Sequence, residues 1–240
     1  MADLFQRTLR LSSPAVGIAF RSSPPAGVRH IAAGPASCSY WKLAADGEIF
    51  WTDAADHQNC PIGAHTHGVP MSAAKQEELM GLVGTMVQLG YLRMEEVPGI
   101  PHRTAPLEVA IYAPLENIPL PPDLVLVRGT TAQLMMLVEA SQAAGVAPDA
   151  PAMGRPTCAA LPQALDSKKP AMSLGCIGNR VYTGLGEGEG YVAIPGSALD
   201  AVAGKLEPMV RANQELEKFH RARAAASTQA WTIDADSTDR

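Results

Sequence analysis

Two stretches of this chain repeat one order of landmarks, and that order narrows the folds open to it. The first runs Ser37-Cys38, a short helix to Leu43 ended by Asp46-Gly47, the strand Glu48-Ile49-Phe50-Trp51, Cys60-Pro61-Ile62-Gly63, and a helix start at Pro70-Met71-Ser72-Ala73. The second runs Thr157-Cys158, a helix ended by Lys168-Lys169-Pro170, the strand Met172-Ser173-Leu174, Cys176-Ile177-Gly178, and a helix start at Pro195-Gly196-Ser197-Ala198. Self-similarity of this kind predicts two related units. They fall at about 10–95 and 105–226 and pack about a pseudo-two-fold axis as a single α/β domain, a mixed sheet with flanking helices.

The remaining segments fit that plan. Ala15 to Phe20 reads as a buried strand closed by Ser22-Ser23-Pro24-Pro25. Ser72 caps a helix whose apolar face is Leu79, Leu82, Val83, Met86, Val87 and Leu89. Strands follow at Leu107 to Tyr112, Leu124 to Val127 and Tyr191 to Ile194. Gly129-Thr130-Thr131 starts a helix with Leu134, Met135, Leu137 and Val138 inside, and its spacing is that of a plain βα turn rather than a phosphate loop. Ser197 caps a long terminal helix that turns charged near Glu215 to Arg223, and residues 227–240 read as a polar tail.

Composition excludes some partners. A net charge of −5 with no basic block lacks the footprint of nucleic-acid binding. The longest apolar stretches, such as Leu124 to Val127, are too short to cross a bilayer, and Met1 to Arg7 has no signal-peptide character. The expectation is a cytoplasmic protein in a reducing compartment. There the four cysteines are buried thiols, metal ligands or reactive groups rather than disulfides.

In each unit one cysteine begins a helix, where free N–H groups and the helix dipole favour thiolate. The other follows a strand. Two such units would bring Cys38, Cys60, Cys158 and Cys176 around one point, the ligand set of an iron–sulfur cluster of the 4Fe-4S type or of a tetrahedral zinc. Neither pair is a C-x-x-C, and by spacing alone four buried structural thiols read the same way.

Three segments carry a family resemblance: Asp56-His57-Gln58-Asn59-Cys60-Pro61-Ile62-Gly63-Ala64, Gly154-Arg155-Pro156-Thr157-Cys158-Ala159 and Ser173-Leu174-Gly175-Cys176-Ile177-Gly178-Asn179-Arg180. With Ala113-Pro114-Leu115-Glu116 and Ala193-Ile194-Pro195 they make the chain, over roughly residues 10 to 210, similar to the "domain of unknown function 169" family of archaea and bacteria. The resemblance implies a single-domain α/β fold with a cysteine-based centre. It implies no reaction.

Other groups stand near the cysteines. His57, Cys60, His65 and His67 suit a single zinc, copper or iron ion, the basis of an alternative metal-dependent enzyme. His65 and His67 share a face on extended backbone but diverge by about 200° on a helix. They are also the candidates for acid/base or orienting groups in a substrate pocket. Cys60-Pro61 is a weak haem signal. Arg155 and Arg180, each close to a cysteine, are candidates to stabilise thiolates or a bound cofactor, or to clamp a carboxylate. A third reading is a non-metal thiol-dependent enzyme or binding module with a nucleophilic helix-start cysteine. The carboxylates of Glu187-Gly188-Glu189-Gly190 read as a solvated turn, and Met135 and Met136 as core. The expected partner is a small-molecule substrate or a redox protein. Oligomeric state stays open, a homo-oligomer included.

Overall fold

A computed structural model describes residues 2–148 and 156–228. In chain order the elements are α1 (Ala2–Leu9), β1 (Val16–Arg21), β2 (Arg29–His30), α2 (Ser39–Ala45), β3 (Phe50–Asp53), α3 (Pro61–Thr66), α4 (Ala73–Gln88), β4 (Val109–Pro114), β5 (Leu124–Thr130), α5 (Thr131–Ala143), α6 (Ala160–Ser167), β6 (Ala171–Ser173), α7 (Ile177–Thr183), β7 (Glu189–Pro195) and α8 (Leu199–Thr228). The strands form one mixed seven-stranded sheet in the order β2-β3-β4-β1-β5-β7-β6.

The inner strands read as unbroken apolar runs because both of their faces are covered: by helices on one side, and on the other by helices over β5 and β7 and by Ile118 and Leu120 beneath β1 and β4. All six residues of β4 are buried. Alternate side chains sort to opposite faces. Leu124 and Leu126 point toward a core shared with Ile18, Tyr112, Phe50 and the residues Tyr40, Trp41, Leu161 and Ala164 of α2 and α6. Val125 and Val127 point the other way, onto Phe5 of α1, Leu134 and Leu137 of α5, and Val202 and Leu206 of α8. Cys38 and Cys158 belong to the first of these cores, and Cys60 packs against it.

Outward from the antiparallel β1/β5 pair, the order is β1-β4-β3-β2 on one side and β5-β7-β6 on the other. Strands β1, β3 and β4 and strands β5, β6 and β7 are each laid down inner, outer, then between, but β2 at the edge has no counterpart, so the sheet does not establish the expected repeat. Strand β4, placed after residue 105 in the sequence reading, pairs with β1 and β3. The halves of the sheet therefore meet between Pro114 and Leu124. The helices do not follow this plan, since α5 and α8 cover the far face with α1 alone from the other half.

Several expectations change. The apolar face of α4 is covered only in part: Val83 is buried and Leu79, Met86 and Val87 are half-buried, but Leu82 and Leu89 are exposed. Thr130 caps α5 by accepting from Gln133 N–H while the Gln133 side chain accepts from Thr130 N–H, a capping box that makes the βα turn a structural one. Ser197 lies in a 3-10 turn (Gly196–Ala198) that leads into α8. Residues 227 and 228, assigned to the tail, continue α8, and 229–240 lie outside the described residues. Among the described residues no helix is long and apolar enough to cross a membrane.

Candidate functional site

All four cysteines sit where a helix begins. Cys60 is the N-cap of α3, extended at φ −123° and ψ 91°, with Pro61 in the first helical position and its Sγ accepting from Gly63 N–H at 3.3 Å. Cys176 is the N-cap of α7, and its Sγ accepts from Asn179 N–H at 3.5 Å. Cys38 precedes α2 without a side-chain cap bond, and Cys158 lies in a 3-10 turn (Thr157–Ala159) that runs into α6. The sequence gives little warning that Cys60 and Cys176 cap helices, because the usual N-cap residues carry oxygen. It also suggests the wrong equivalence. The residue opposite Gly63 is Asn179, three positions after its cysteine, and not Gly178.

The hydroxyl residue before each first cysteine ties the two members of its pair together. Cys176 N–H donates to Thr157 Oγ1 at 2.6 Å. Ser37 fills the space left by Gly63: a Cβ on that glycine would lie 2.3 Å from Ser37 Oγ and 3.0 Å from Cys60 Sγ. Gly175, at φ +88°, turns the chain into Cys176 where a Cβ would meet Leu185.

Electrostatics connects the sulfurs. Burial pushes the Cys38 thiol up to about 12; the charge of Cys60 adds to this, the Asn179 amide works against it, and Cys176 adds again. Cys158 is pushed up further by burial, with the Thr66 hydroxyl opposing and the charges of Cys60, Cys176 and Cys38 reinforcing. Cys158 thus lies within electrostatic reach of the other three sulfurs. Without a metal, Cys38 and Cys158 are neutral thiols, which are poor nucleophiles. Asn179 is only 2% exposed and faces this group, yet its Nδ2 makes no hydrogen bond of ordinary geometry.

The donor set discriminates between metals. A tetrahedral zinc with Zn–S of about 2.3 Å draws its sulfurs to within ~4 Å of one another. Among the described residues, the one set of three or more His, Cys, Asp or Glu groups with ligand atoms within 4.8 Å of one another is His30, Asp53 and Asp56. The four cysteine sulfurs are not such a set among the described residues.

The histidines part company. His57 is buried with Nε2 at 3.0 Å from Thr52 Oγ1 and Nδ1 at 3.0 Å from Ser37 Oγ, so neither nitrogen is open to a metal. Burial, and then His67, hold its pKa well below the usual value. His67 ends α3 and is also buried; its Nδ1 lies 2.7 Å from Gly63 O. A carbonyl only accepts, so Nδ1 carries the proton and Nε2 keeps its lone pair. That Nε2 has no partner. Burial lowers the His67 pKa to about 4, with the Gly63 carbonyl opposing and the Arg103 charge assisting. His65 is half-buried, its ring tilted by 30° against that of His102 with centroids 4.9 Å apart. Because residues 61–66 are helical, His65 and His67 diverge, and the alternative ligand set of His57, Cys60, His65 and His67 does not assemble.

Arg180 is engaged by the chain itself. Arg180 donates from Nη1 to the carbonyls of Leu185 and Gly186 and from Nη2 to those of Leu174 and Glu189. It clamps the loop after α7 to the residues before Cys176 instead of offering its charge to a ligand. Arg155 and its neighbour Gly154 lie outside the described residues. Glu189 accepts from Arg128, which holds its carboxyl below the usual range, so one of the two turn carboxylates is an anchor. The sequence marked Ser37, Asn179 and Tyr112 only as landmarks and Thr52 and Arg103 not at all, because none of them stands in a metal-ligand motif.

No curated protein and no solved structure matches the chain. The model of the domain of unknown function 169 (DUF169) family, described as "Uncharacterised ArCR", matches residues 4–205, and the chain belongs to that family.

Proposed function

We propose that this chain holds one 4Fe-4S-type iron–sulfur cluster on Cys38, Cys60, Cys158 and Cys176 and serves redox or small-molecule metabolism in the cytoplasm. The observation that carries the reading is the grouping of the cysteines: Cys38 and Cys158 lie in one core with Cys60 packed against it, and Thr157, next to Cys158, accepts from Cys176 N–H. Buried thiols that raise one another's pKa are costly as thiolates, and bound metal supplies the positive charge that offsets this.

A bound cluster supplies one-electron chemistry, or Lewis acidity where an iron position is open. The chain's own residues set the conditions for it. The Gly63 and Asn179 N–H groups bond to the sulfurs of Cys60 and Cys176, which lowers their basicity and favours the reduced state. Apolar neighbours keep water from Cys38 and Cys158. His67 offers an unprotonated Nε2 as a proton acceptor near this group.

The competing readings have less behind them. A single-ion centre lacks gathered ligands, and a thiol nucleophile is ill served by Cys38 and Cys158, whose pKa values burial raises. Single Cys→Ser variants purified without oxygen separate the three. The cluster reading expects each of the four to lose the iron–sulfur absorption, and His65→Ala and His57→Gln to keep it. Retention of colour in Cys158→Ser, with loss in the histidine variants, would replace it with the single-ion centre.

A further inference from the structure

Arg103 is anchored at the end of α3, where its N–H donates to Thr66 O at 3.0 Å. Its guanidinium carbon lies 3.9 Å over the centre of the Phe20 ring. Gly68, at φ +71°, holds this approach close, since a Cβ there would lie 2.8 Å from Arg103 O. Among the described residues Arg103 has no carboxylate partner, and its Nη1 is buried without a hydrogen bond. Desolvation lowers its pKa, and Tyr112, Asp123 and Asp166 pull the other way without reaching it.

Two more buried atoms nearby lack partners, Tyr112 Oη and His67 Nε2. Tyr112 is fully buried on β4 opposite Ile18, on the sheet face that carries Phe20. The Thr52 hydroxyl beside it is engaged with His57 and faces Tyr112 without a hydrogen bond of ordinary geometry. The Arg103 charge reaches both His67 and Tyr112. Two such atoms from separate segments, beside the unpaired Nη1 of an uncompensated guanidinium, are expensive to keep in a folded chain unless something binds them.

We propose that Arg103, Tyr112 and His67 bind a small 2-hydroxycarboxylate. The Arg103 Nη1–H and Tyr112 O–H groups donate, so the ligand presents anionic oxygens to them. His67 Nε2 accepts, because its other nitrogen is committed to the Gly63 carbonyl, so the ligand also presents an O–H beside its carboxylate. Thr66 lies between this site and the cysteines: its hydroxyl donates to Gly63 O at 3.0 Å, sits 3.3 Å from His67 Nδ1 and opposes the rise in the Cys158 pKa. That the ligand is a substrate of the cysteine centre rests on the function proposed above. That it binds does not.

The test uses the full chain, glycolate and acetate, each titrated at constant ionic strength and followed by ligand-detected NMR, with iron and sulfide measured on the same sample. Glycolate is expected to bind saturably and acetate roughly tenfold or more weakly, because acetate leaves His67 Nε2 unpaired. Arg103→Met is expected to abolish glycolate binding while melting no lower than the parent, having lost a buried unpaired charge. If that variant does not fold, Arg103→Lys takes its place and is expected to weaken glycolate by roughly tenfold, since lysine lacks the guanidinium fork. Absence of saturable glycolate binding to the parent, equal binding of acetate, or undiminished binding in the folded arginine variant would overturn the site. Binding by iron-free protein would leave the site standing and remove its link to a cluster.

Discussion

Gly63 shows how tightly the cysteine pairs are built. Its N–H reaches Cys60 Sγ, and the Ser37 hydroxyl occupies the place where a side chain would begin. Gly63→Ala therefore forces Ser37 away from His57 Nδ1 and is expected to cost about 1–3 kcal/mol, the usual range for overpacking. Urea denaturation measures it, and Ser37→Gly in the same chain should recover most of the loss. The buried histidines predict a pH dependence. The folded His67 pKa is near 4, whereas an unfolded histidine titrates near 6.5, so the unfolded chain takes up the proton first as pH falls. His57 acts in the same direction. Their stabilising contribution is complete above pH ~6.5 and declines as pH falls from there toward 4, by on the order of 3 kcal/mol for His67 alone. Melts of the parent and of His67→Gln across this window check it, and the variant should show the shallower slope.

Elements differ in how firmly the core holds them. Helix α5 buries Leu134, Leu137 and Ala140, whereas α4 buries only Val83. At roughly 1.5–3 kcal/mol for each large apolar side chain fully buried, α4 is held far more weakly. Amide exchange should therefore be faster across residues 73–88 than across 131–143. The apolar spacing of α4 was legible in the sequence, but periodicity records a stripe and cannot say whether a neighbour covers it. Strands were easier to read. Leu124 to Val127 and Tyr191 to Ile194 fall within β5 and β7 because strands buried on both faces are apolar throughout. Capping by Cys60 and Cys176 was hidden by residue type, and the Arg180 clamp by the distance between a side chain and the carbonyls it meets. Arg180→Ala removes donors to four carbonyls, and faster exchange should follow in residues 184–189.

At the scale of the molecule, Cys38, Cys60 and Cys158 share one core on one face of the sheet. The landmark order of the sequence predicted two equivalent units, and the structure does not establish that repeat: β2 and α5 have no counterparts in it. The family was legible in the cysteine segments, whose order along the chain carries the resemblance. Arg103, Tyr112 and His67 were not legible as a group. They come from a loop, a strand and a helix end, and only folding brings an uncompensated guanidinium to them. The central claim is that the sulfurs of Cys38, Cys60, Cys158 and Cys176 hold one cluster. Its most direct test is iron and acid-labile sulfide analysis of the full chain purified without oxygen. The cluster predicts a coloured protein with about four irons and as many sulfides per chain; a colourless protein with no stoichiometric iron, or with zinc in its place, would contradict it.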